Sequence, residues 1–274
     1  MNKEAFFINL FSKSSRHVGD DGALIDGWVY SKDAFFENVH FKREWMTLQQ
    51  IAKRAMMVNI SDAVAMNAKV HYALLSVAIP SSYTKNDLRA LHAGFSETAT
   101  MFDIDIIGGD TLSNHKLDIT VTLISKTKKP LRRIGLKSGD LLAYTGDLGR
   151  SAKNLRYLFS GMKMHERSKF VDLKLRQEFI AKSVNVLSCG MDISDGLGSD
   201  LEKLHSINRV GFRFTKKLKR SLFCSGEEYE MLVGFKRRHL KKVKRLAQQS
   251  RTPLTLFAQA TRTSYFNRCK AHHF

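Results

Sequence analysis

Aspartates beside glycine or serine recur in short motifs between residues 19 and 196 of this chain. The motifs are Gly19-Asp20-Asp21-Gly22, Ser31-Lys32-Asp33, Ser61-Asp62, Gly108-Gly109-Asp110-Thr111 and Met191-Asp192-Ile193-Ser194-Asp195-Gly196. One such motif alone is typical of a turn or a helix cap, because Asp and Ser side chains hydrogen-bond to nearby backbone. Several in an otherwise basic chain instead indicate a fold that gathers them, with cations to neutralise carboxylates that would repel one another.

Magnesium is the cation that this pattern favours. It is a hard ion that prefers oxygen ligands and commonly joins one or two carboxylates to the phosphates of a substrate. The glycines before Asp110 would let backbone N–H groups approach a phosphate closely. The P-loop pattern Gly-x-x-x-x-Gly-Lys-Ser/Thr is absent, as are the His-Arg-Asp and Asp-Phe-Gly signatures of protein kinases. The motifs therefore predict a magnesium-dependent, phosphate-handling enzyme outside those classes.

Positive charge is concentrated in the second half of the chain. The 274 residues carry a formal net charge of +19, yet residues 1–110 hold 11 basic and 13 acidic side chains. Such a surplus is one reason to consider nucleic-acid binding. Within the basic segment 236–245 and just after it, however, Leu240, Val243, Leu246 and Ala247 recur at helical spacing. We therefore expect a helix with a solvated basic face there, and do not expect nucleic acid as a functional partner.

The spacing of apolar residues predicts an α/β (α+β) fold of two domains, residues 1–130 and 131–274. In the first domain we expect a hairpin at Asp26-Gly27, helices over 47–66 and 86–102, and strands over 70–79, 104–107 and 116–125. Asp33 would lie at a strand exit, the first helix would break near Asn59, and Asp110 would lie on a glycine-flanked turn. In the second domain we expect a strand over 141–145 and helices over 151–159 and 173–187.

Cys189, Cys224 and Cys269 are widely spaced and odd in number, so neither a disulfide framework nor a zinc ribbon is predicted, and reduced thiols are expected. Cys269 with His272 and His273 is more typical of a solvated tail than of a metal clip. No apolar stretch approaches the roughly 20 residues of a membrane span. No signal peptide is recognisable, and we expect a cytoplasmic protein.

The order and the residues of the acidic motifs resemble those of the thiamine-monophosphate kinases, which belong to the superfamily related to aminoimidazole ribonucleotide synthetase. The matching segments are Gly19-Asp20-Asp21, Asp33 with His40 seven residues later, Asn59 to Met66, Gly108 to Thr111, Asp192 to Leu197, and Ser225 to Glu230. They span nearly the whole chain in the family's order.

This resemblance implies a fold, a reaction and a set of site residues. The fold would be aminoimidazole ribonucleotide synthetase-like, with an N-terminal mixed-sheet domain that binds ATP and metal and dimerises, and a C-terminal α/β domain. The reaction would be the ATP-dependent phosphorylation of thiamine monophosphate to thiamine diphosphate in a homodimer with several Mg²⁺ ions. ATP would contact Gly109, Asp110, Arg133 and Ser194, and thiamine monophosphate would contact His40 and Glu227. The metal ligands would be Asp21, Ser31, Asp33, Asp62, Asp110, Asp192 and Asp195.

The sequence departs from the family's pattern at Lys32, Phe102, Ser225, Glu228 and Ala271. Lys32 stands where a hydroxyl ligand is usual, and an ammonium cannot ligate a cation. Its side chain either takes over part of a metal's role, by pairing with Asp33, Asp62 or an ATP phosphate, or turns outward to solvent. Ala271 replaces an aromatic residue, which removes one wall expected of a thiamine pocket.

Three alternatives remain. A selenophosphate synthetase would carry a reactive cysteine near its N-terminus, whereas the first cysteine here is Cys189. A hydrogenase-maturation carbamoyl dehydratase would end in cysteine, whereas this sequence ends in His272-His273-Phe274. A basic nucleic-acid-binding protein would account for the charge but not for the acidic motifs.

Overall fold

The computed structural model describes residues 3–12, 15, 17–163, 165–166 and 168–270. The helices are α1 (Lys3–Ser12), α2 (Leu48–Ala65), α3 (Lys85–Phe102), α4 (Arg150–Phe159), α5 (Gln177–Ser183), α6 (Leu197–Asn208), α7 (Arg220–Phe223) and α8 (Leu240–Gln249). The strands are β1 (Ala23–Ile25), β2 (Trp28–Phe36), β3 (Lys69–Pro80), β4 (Asp105–Asn114), β5 (Asp118–Lys126), β6 (Leu141–Thr145), β7 (Cys189–Asp192), β8 (Gly211–Phe214), β9 (Met231–Phe235) and β10 (Leu254–Thr261). No helix of the described ranges is long and apolar enough to cross a bilayer.

The strands of the first half form one mixed sheet in the order β1-β2-β5-β3-β4. β3 and β4 run parallel, and the other neighbours run antiparallel. β1 and β2 form the hairpin that Asp26-Gly27 predicted, with Ile25 opposite Trp28. Buried residues alternate along β5, because one face of the sheet is covered by α2.

Helix α2 lies between the two halves of the molecule, against β2 and β5 on one side and against β7 and α5 on the other. The predicted break near Asn59 is wrong, because the Asn59 amide is held outside the helix. It donates to the Val121 carbonyl of β5 and accepts a hydrogen bond from the Ser31 hydroxyl at 2.6 Å. The helix is therefore continuous and carries Asp62 to the place where the two halves meet.

Strand β4 is longer than predicted, and the turn expected at Gly108 to Asp110 is wrong, because these residues pair with β3. Gly109 has a φ of +149°, and a Cβ at this position would clash with the carbonyl oxygen of Leu75. The glycine therefore lets two parallel strands approach. Asp33 likewise lies within β2 rather than at its exit.

The strands of the second half form an antiparallel sheet in the order β7-β9-β6-β10-β8. Val243 and Ala247 of α8 are buried, as their spacing predicted, whereas α5 is shorter than the helix expected over 173–187. The core on the α5 and α8 side of this sheet is continuous with the core around α2. The boundary at residues 130 and 131 falls in the connection from β5 to β6 and stays a prediction.

The expectation that all three cysteines are reduced is wrong for two of them. Cys224 follows α7, Cys269 follows β10, and the two form a disulfide with their Cα atoms 5.4 Å apart. The chain after β10 returns to α6, where the Tyr265 hydroxyl donates to the Gly198 carbonyl at 2.9 Å. This return brings together two cysteines 45 residues apart, which spacing in the sequence does not reveal. Cys189 remains a buried free thiol, and the tail histidines His272 and His273 lie outside the described residues.

Candidate active site

Three carboxylates from distant parts of the chain meet where α2 reaches β7. Asp21 precedes β1, Asp62 lies in α2 and Asp192 ends β7, and one oxygen of each lies within 4.8 Å of the others. Ser61 donates its hydroxyl proton to Asp192 Oδ2 at 2.8 Å. Aspartates from three of the sequence motifs thus form one group, which we call the acidic cluster.

The acidic cluster suits a hard divalent cation. Burial raises the pKa of Asp62 well above its usual value, and the charges of Asp33, Asp192 and Asp21 raise it further. Burial also raises the pKa values of Asp192 and Asp21. Among the described residues, the buried Oδ2 atom of Asp21 has no hydrogen-bond partner. Carboxylates in this arrangement, with an oxygen still open to a ligand, are the donors that Mg²⁺ prefers.

Arg133 lies against the acidic cluster. Its Nη2 atom donates to Asp21 Oδ1 at 2.5 Å and its Nε atom to the same oxygen at 3.2 Å. The neighbouring Asp20 accepts hydrogen bonds from the Arg133 backbone N–H and from Arg132 Nε, both at 2.7 Å. The Gly-Asp-Asp loop is therefore fastened to the segment between the two sheets. The predicted contact of Arg133 with ATP stays a prediction.

The other predicted ligands of the same region differ in their surroundings. Ser31 and Asp33 lie on one face of β2, since they are two residues apart. Asp33 is near enough to Asp62 to raise the pKa of that carboxyl. Asp195 forms an ion pair with Lys203 at 2.6 Å. Asp33 thus lies near the acidic cluster without being one of its three carboxylates, while Ser31 bonds to α2 and Asp195 bonds to a lysine.

Gly109 and Asp110 lie elsewhere in the chain. Asp110 pairs with Ser76 of β3, which pairs with Thr120 of β5, which pairs with Ala34 of β2. Three strand spacings separate β4 from β2, or about 14 Å of backbone. Gly109 and Asp110 instead line a wide groove of about 1160 Å³ between β4 and α3. Within one chain, the structure does not bring these two residues to the acidic cluster.

Lys32 projects from the face of β2 opposite to Ser31 and Asp33 and is exposed. Successive side chains of a strand point to opposite faces, so Lys32 cannot share the surroundings of its two neighbours. The outward orientation is the one observed. This orientation favours the outward alternative over pairing with Asp33 or Asp62, and a contact of Lys32 with an ATP phosphate stays a prediction.

His40 and Glu227 line one cleft of about 430 Å³, formed by the loop after β2, helix α4 and the loop after α7. The Nδ1 atom of His40 accepts the backbone N–H of Phe36 at 3.0 Å. Aromatic side chains supply much of the remaining wall, namely Phe41, Trp45, Phe159 and Phe170. Ala271 lies outside the described residues, and the cleft has aromatic walls from other elements.

Arg54 holds Glu227 in place and was missed by sequence reasoning. Its side chain is fully buried, and Nη2 donates to Glu227 Oε2 at 3.0 Å. Its Nη1 atom donates to the Phe170 carbonyl at 2.6 Å. Arg54 follows Ile51 by three residues and precedes Val58 by four, on the apolar stripe of the predicted helix. A basic residue on that stripe was the signal that could have found it.

The loop 225–230 connects the cleft to the acidic cluster. Glu227 N–H donates to the Ser194 carbonyl at 2.6 Å, and Tyr229 N–H donates to the Ile193 carbonyl at 2.8 Å. The loop therefore runs beside the residues that follow Asp192. The Glu227 carboxylate of the cleft and the Asp192 carboxylate of the cluster lie on paired backbone segments.

Ser225 and Glu228, two of the departures from the family's pattern, have a structural role here. The Ser225 hydroxyl donates to Glu228 Oε1 at 2.6 Å, and the same oxygen accepts the backbone N–H groups of Gly149 and Ser151. A carboxylate at the start of a helix satisfies N–H groups that have no partner within the helix. The pair therefore caps α4, which forms one wall of the cleft.

Comparison with known proteins gives first a class for this fold and then a family for this chain. Residues 19–127 match the family described as AIR synthase related protein, N-terminal domain, which gives the class of this segment. The thiamine-monophosphate kinase of Leptospira interrogans is 32% identical over 209 residues, which cover 72% of this chain and 67% of that protein. The chain belongs to the thiamine-monophosphate kinase family.

Two solved structures have the same overall fold as this chain. The thiamine monophosphate kinase of Aquifex aeolicus has a TM-score of 0.81 at 20% identity, over 95% of each chain. The structure described as AaThiL complexed with AMPPCP and TMP has a TM-score of 0.84 at 20% identity, over 97% of this chain and 94% of that one. At this identity the likeness establishes a common architecture, including the two sheets.

Proposed function

We propose that this chain transfers the terminal phosphoryl group of ATP to thiamine monophosphate, giving thiamine diphosphate, with Mg²⁺ at the acidic cluster. The observation that carries the proposal is the loop 225–230, which places Glu227 in the cleft and runs beside Asp192 of the cluster. The two substrates would thus meet where a phosphate-binding centre adjoins a cleft for an organic molecule. We place the reaction in the cytoplasm.

The chemistry makes modest demands on the side chains. The nucleophile is a phosphate oxygen that is already largely anionic near neutral pH, because the second pKa of a phosphomonoester is about 6. No strong general base is needed. The harder task is to bring two anions together, and Arg133 beside Asp21 supplies a fixed positive charge for that purpose. Bound Mg²⁺ would screen the phosphates and stabilise the charge in transfer.

The residues that would hold Mg²⁺ are Asp21, Asp62 and Asp192, with Asp33 near them. Ser31 and Asp195 are proposed as further ligands, which requires Asp195 to exchange its bond to Lys203. Ser194, whose carbonyl lies beside Glu227, is proposed to contact ATP.

The metal site can be tested without turnover. In a chelator, Asp62→Asn should stabilise the protein by on the order of 2 kcal/mol, because it removes one of three clustered negative charges. The melting temperature should rise by about 4 to 8 °C, and added Mg²⁺ should no longer raise it further. Asp26→Asn, at an exposed turn, is the control and should change neither. A Mg²⁺ response that is intact in Asp62→Asn would contradict the assignment.

The reaction is tested by incubating the chain with ATP and Mg²⁺ and with thiamine monophosphate, thiamine or an unrelated phosphomonoester. Thiamine diphosphate should form from thiamine monophosphate alone, and formation should cease in excess chelator. Equal turnover of the unrelated ester would contradict the proposed substrate.

We further propose a homodimer in which Gly109 and Asp110 of one copy serve the site of the other. The open face of the first sheet carries the exposed apolar side chains Tyr30, Tyr72 and Leu74, which a second copy would cover. Asp110 is about three strand spacings from its own acidic cluster, so a role at a metal site requires another chain.

A mixture of two inactive variants distinguishes a site shared between two copies from a site contained within one copy. Asp62→Asn and Asp110→Asn should each be inactive, and their re-assembled mixture should regain about a quarter of the parent activity, because half of the dimers would contain one intact composite site. A monomer by light scattering, or a mixture without activity, would contradict the shared site.

A further inference from the structure

The rings of Trp45 and Phe159 form a corner of the cleft that His40 and Glu227 line. They meet edge to face, with their centroids 5.2 Å apart and their planes at 88°. Phe159 is 65% exposed, so packing in the hydrophobic core does not account for an aromatic residue at this position. We call Trp45 and Phe159 the aromatic corner.

A positive charge already lies over the aromatic corner. The ammonium nitrogen of Lys42 is 5.8 Å from the centroid of Trp45 and 5.6 Å from that of Phe159. Aromatic faces attract cations within about 6 Å, because the ring quadrupole is negative above the plane, and tryptophan is the strongest of the three aromatic residues. The corner is thus built to hold a cation at the wall of the cleft.

We propose that the aromatic corner binds the thiazolium ring of thiamine monophosphate, and that Lys42 leaves the ring faces when the substrate enters. The inference rests on the proposed function and names the residues that recognise the positive charge of its substrate. Once displaced, the Lys42 ammonium can pair with the phosphate of the same ligand as a point charge.

Calorimetric titration without ATP tests the inference on the full chain. The ligands are thiamine monophosphate and the phosphate of 4-methyl-5-(2-hydroxyethyl)thiazole, whose ring is neutral. Phe159→Leu should raise the Kd for thiamine monophosphate about 5- to 30-fold, and that for the neutral ring by less than about threefold. Phe266→Leu, which replaces another highly exposed phenylalanine, is the matched control and should change neither.

Trp45→Leu should have an effect at least as large as that of Phe159→Leu, with a thermal melt to verify folding. Lys42→Met should lower the Kd for unphosphorylated thiamine by about threefold or more, because a competing cation has been removed.

The failure of this inference is distinguishable from failure of the proposed function. If the parent binds thiamine monophosphate but Phe159→Leu leaves its Kd within twofold, or weakens both ligands equally, the inference is overturned alone. If the parent does not bind thiamine monophosphate, the proposed function falls, and the inference with it.

Discussion

Arg54 places a full positive charge inside the core, where burial of a guanidinium is costly unless it is paired with a carboxylate and hydrogen-bonded. Glu227 and the Phe170 carbonyl accept two of them, and the guanidinium carbon lies 4.8 Å from the centroid of the Phe170 ring. Rotation of Glu227 away from the cleft would break this pair. Arg54 is therefore a positioning residue for the substrate contact expected of Glu227.

Arg54→Met should lower the free energy of unfolding by about 3 to 5 kcal/mol, because it leaves Glu227 without its buried partner. The KM for thiamine monophosphate should rise more than kcat falls, because Glu227 is no longer held in the cleft. Urea unfolding and steady-state kinetics measure the two effects.

The neighbouring Lys53→Met is the control, since it breaks only the partly exposed pair with Glu97 and should cost at most about 1 kcal/mol. Arg54→Lys keeps the positive charge but loses the two parallel N–H donors of the guanidinium. Its free energy of unfolding and its KM should therefore fall between those of the parent and those of Arg54→Met. An unchanged KM in Arg54→Met would show that Glu227 does not depend on Arg54.

At the scale of elements, the pairing of β3 with β4 depends on one glycine. Gly108 and Gly109 both have positive φ values, +152° and +149°, so alanine is strained at either position. A Cβ at Gly109 would also clash with the Leu75 carbonyl, whereas a Cβ at Gly108 would make ordinary contact with Leu74. A comparison of alanine at the two positions therefore distinguishes the effect of backbone strain from the effect of the close approach of the strands.

Gly109→Ala should therefore destabilise the protein by about 1 to 3 kcal/mol more than Gly108→Ala. The measurement is chemical denaturation of both variants, with hydrogen exchange along β4 to locate the damage. Equal stability of the two variants would show that the strands do not approach at Gly109 as described.

The segment after β10 is a second element whose position depends on long-range contacts. Its disulfide to Cys224 adjoins the cleft, since Cys224 lines it together with Glu227. Cross-linking two positions so far apart in sequence restricts the unfolded chain. The bond therefore stabilises the molecule and fixes the loop after α7.

Cys269→Ser should reduce the free energy of unfolding by about 2 to 4 kcal/mol, because the unfolded chain gains conformational freedom. A reducing agent should have the same effect on the parent and no further effect on Cys269→Ser. Mass spectrometry after alkylation counts the free thiols, and three in the unreduced parent would contradict the bond.

For the whole molecule, the net charge of +19 has to be reconciled with two anionic substrates. The α8 segment is basic and largely exposed, while Val243 and Ala247 anchor it to the core. The charges used by the proposed chemistry are instead local, as with Arg133 beside the acidic cluster. The excess charge is therefore a property of solvated faces.

We accordingly expect no specific retention of DNA or RNA duplexes at about 0.15 M salt, although weak binding at low salt follows from charge alone. Filter binding across a salt series measures this. Retention at physiological salt that ATP and thiamine monophosphate do not alter would contradict the expectation.

The sequence by itself determined several local elements and showed the acidic motifs from which the cluster is drawn. Asp26-Gly27 sufficed for the hairpin, and the spacing of Val243 and Ala247 sufficed for α8, because turn chemistry and helical periodicity act over a few residues. The acidic motifs contain Asp21, Asp62 and Asp192, but they do not distinguish these three from Asp110 or Asp195, because every such motif supplies a carboxylate and only the fold decides which carboxylates meet.

Only the tertiary structure decided which of these elements and side chains lie close together. In the sequence, Asp110 lies in the same kind of acidic motif as Asp62. In the structure, however, three strand spacings separate its strand, β4, from β2 beside the cluster. Lys32 falls on the opposite face to Asp33 because side chains alternate along a strand. The Arg54–Glu227 pair and the Cys224–Cys269 bond join residues far apart in the chain. Such contacts depend on how the two sheets pack around α2, and no short-range pattern encodes that packing.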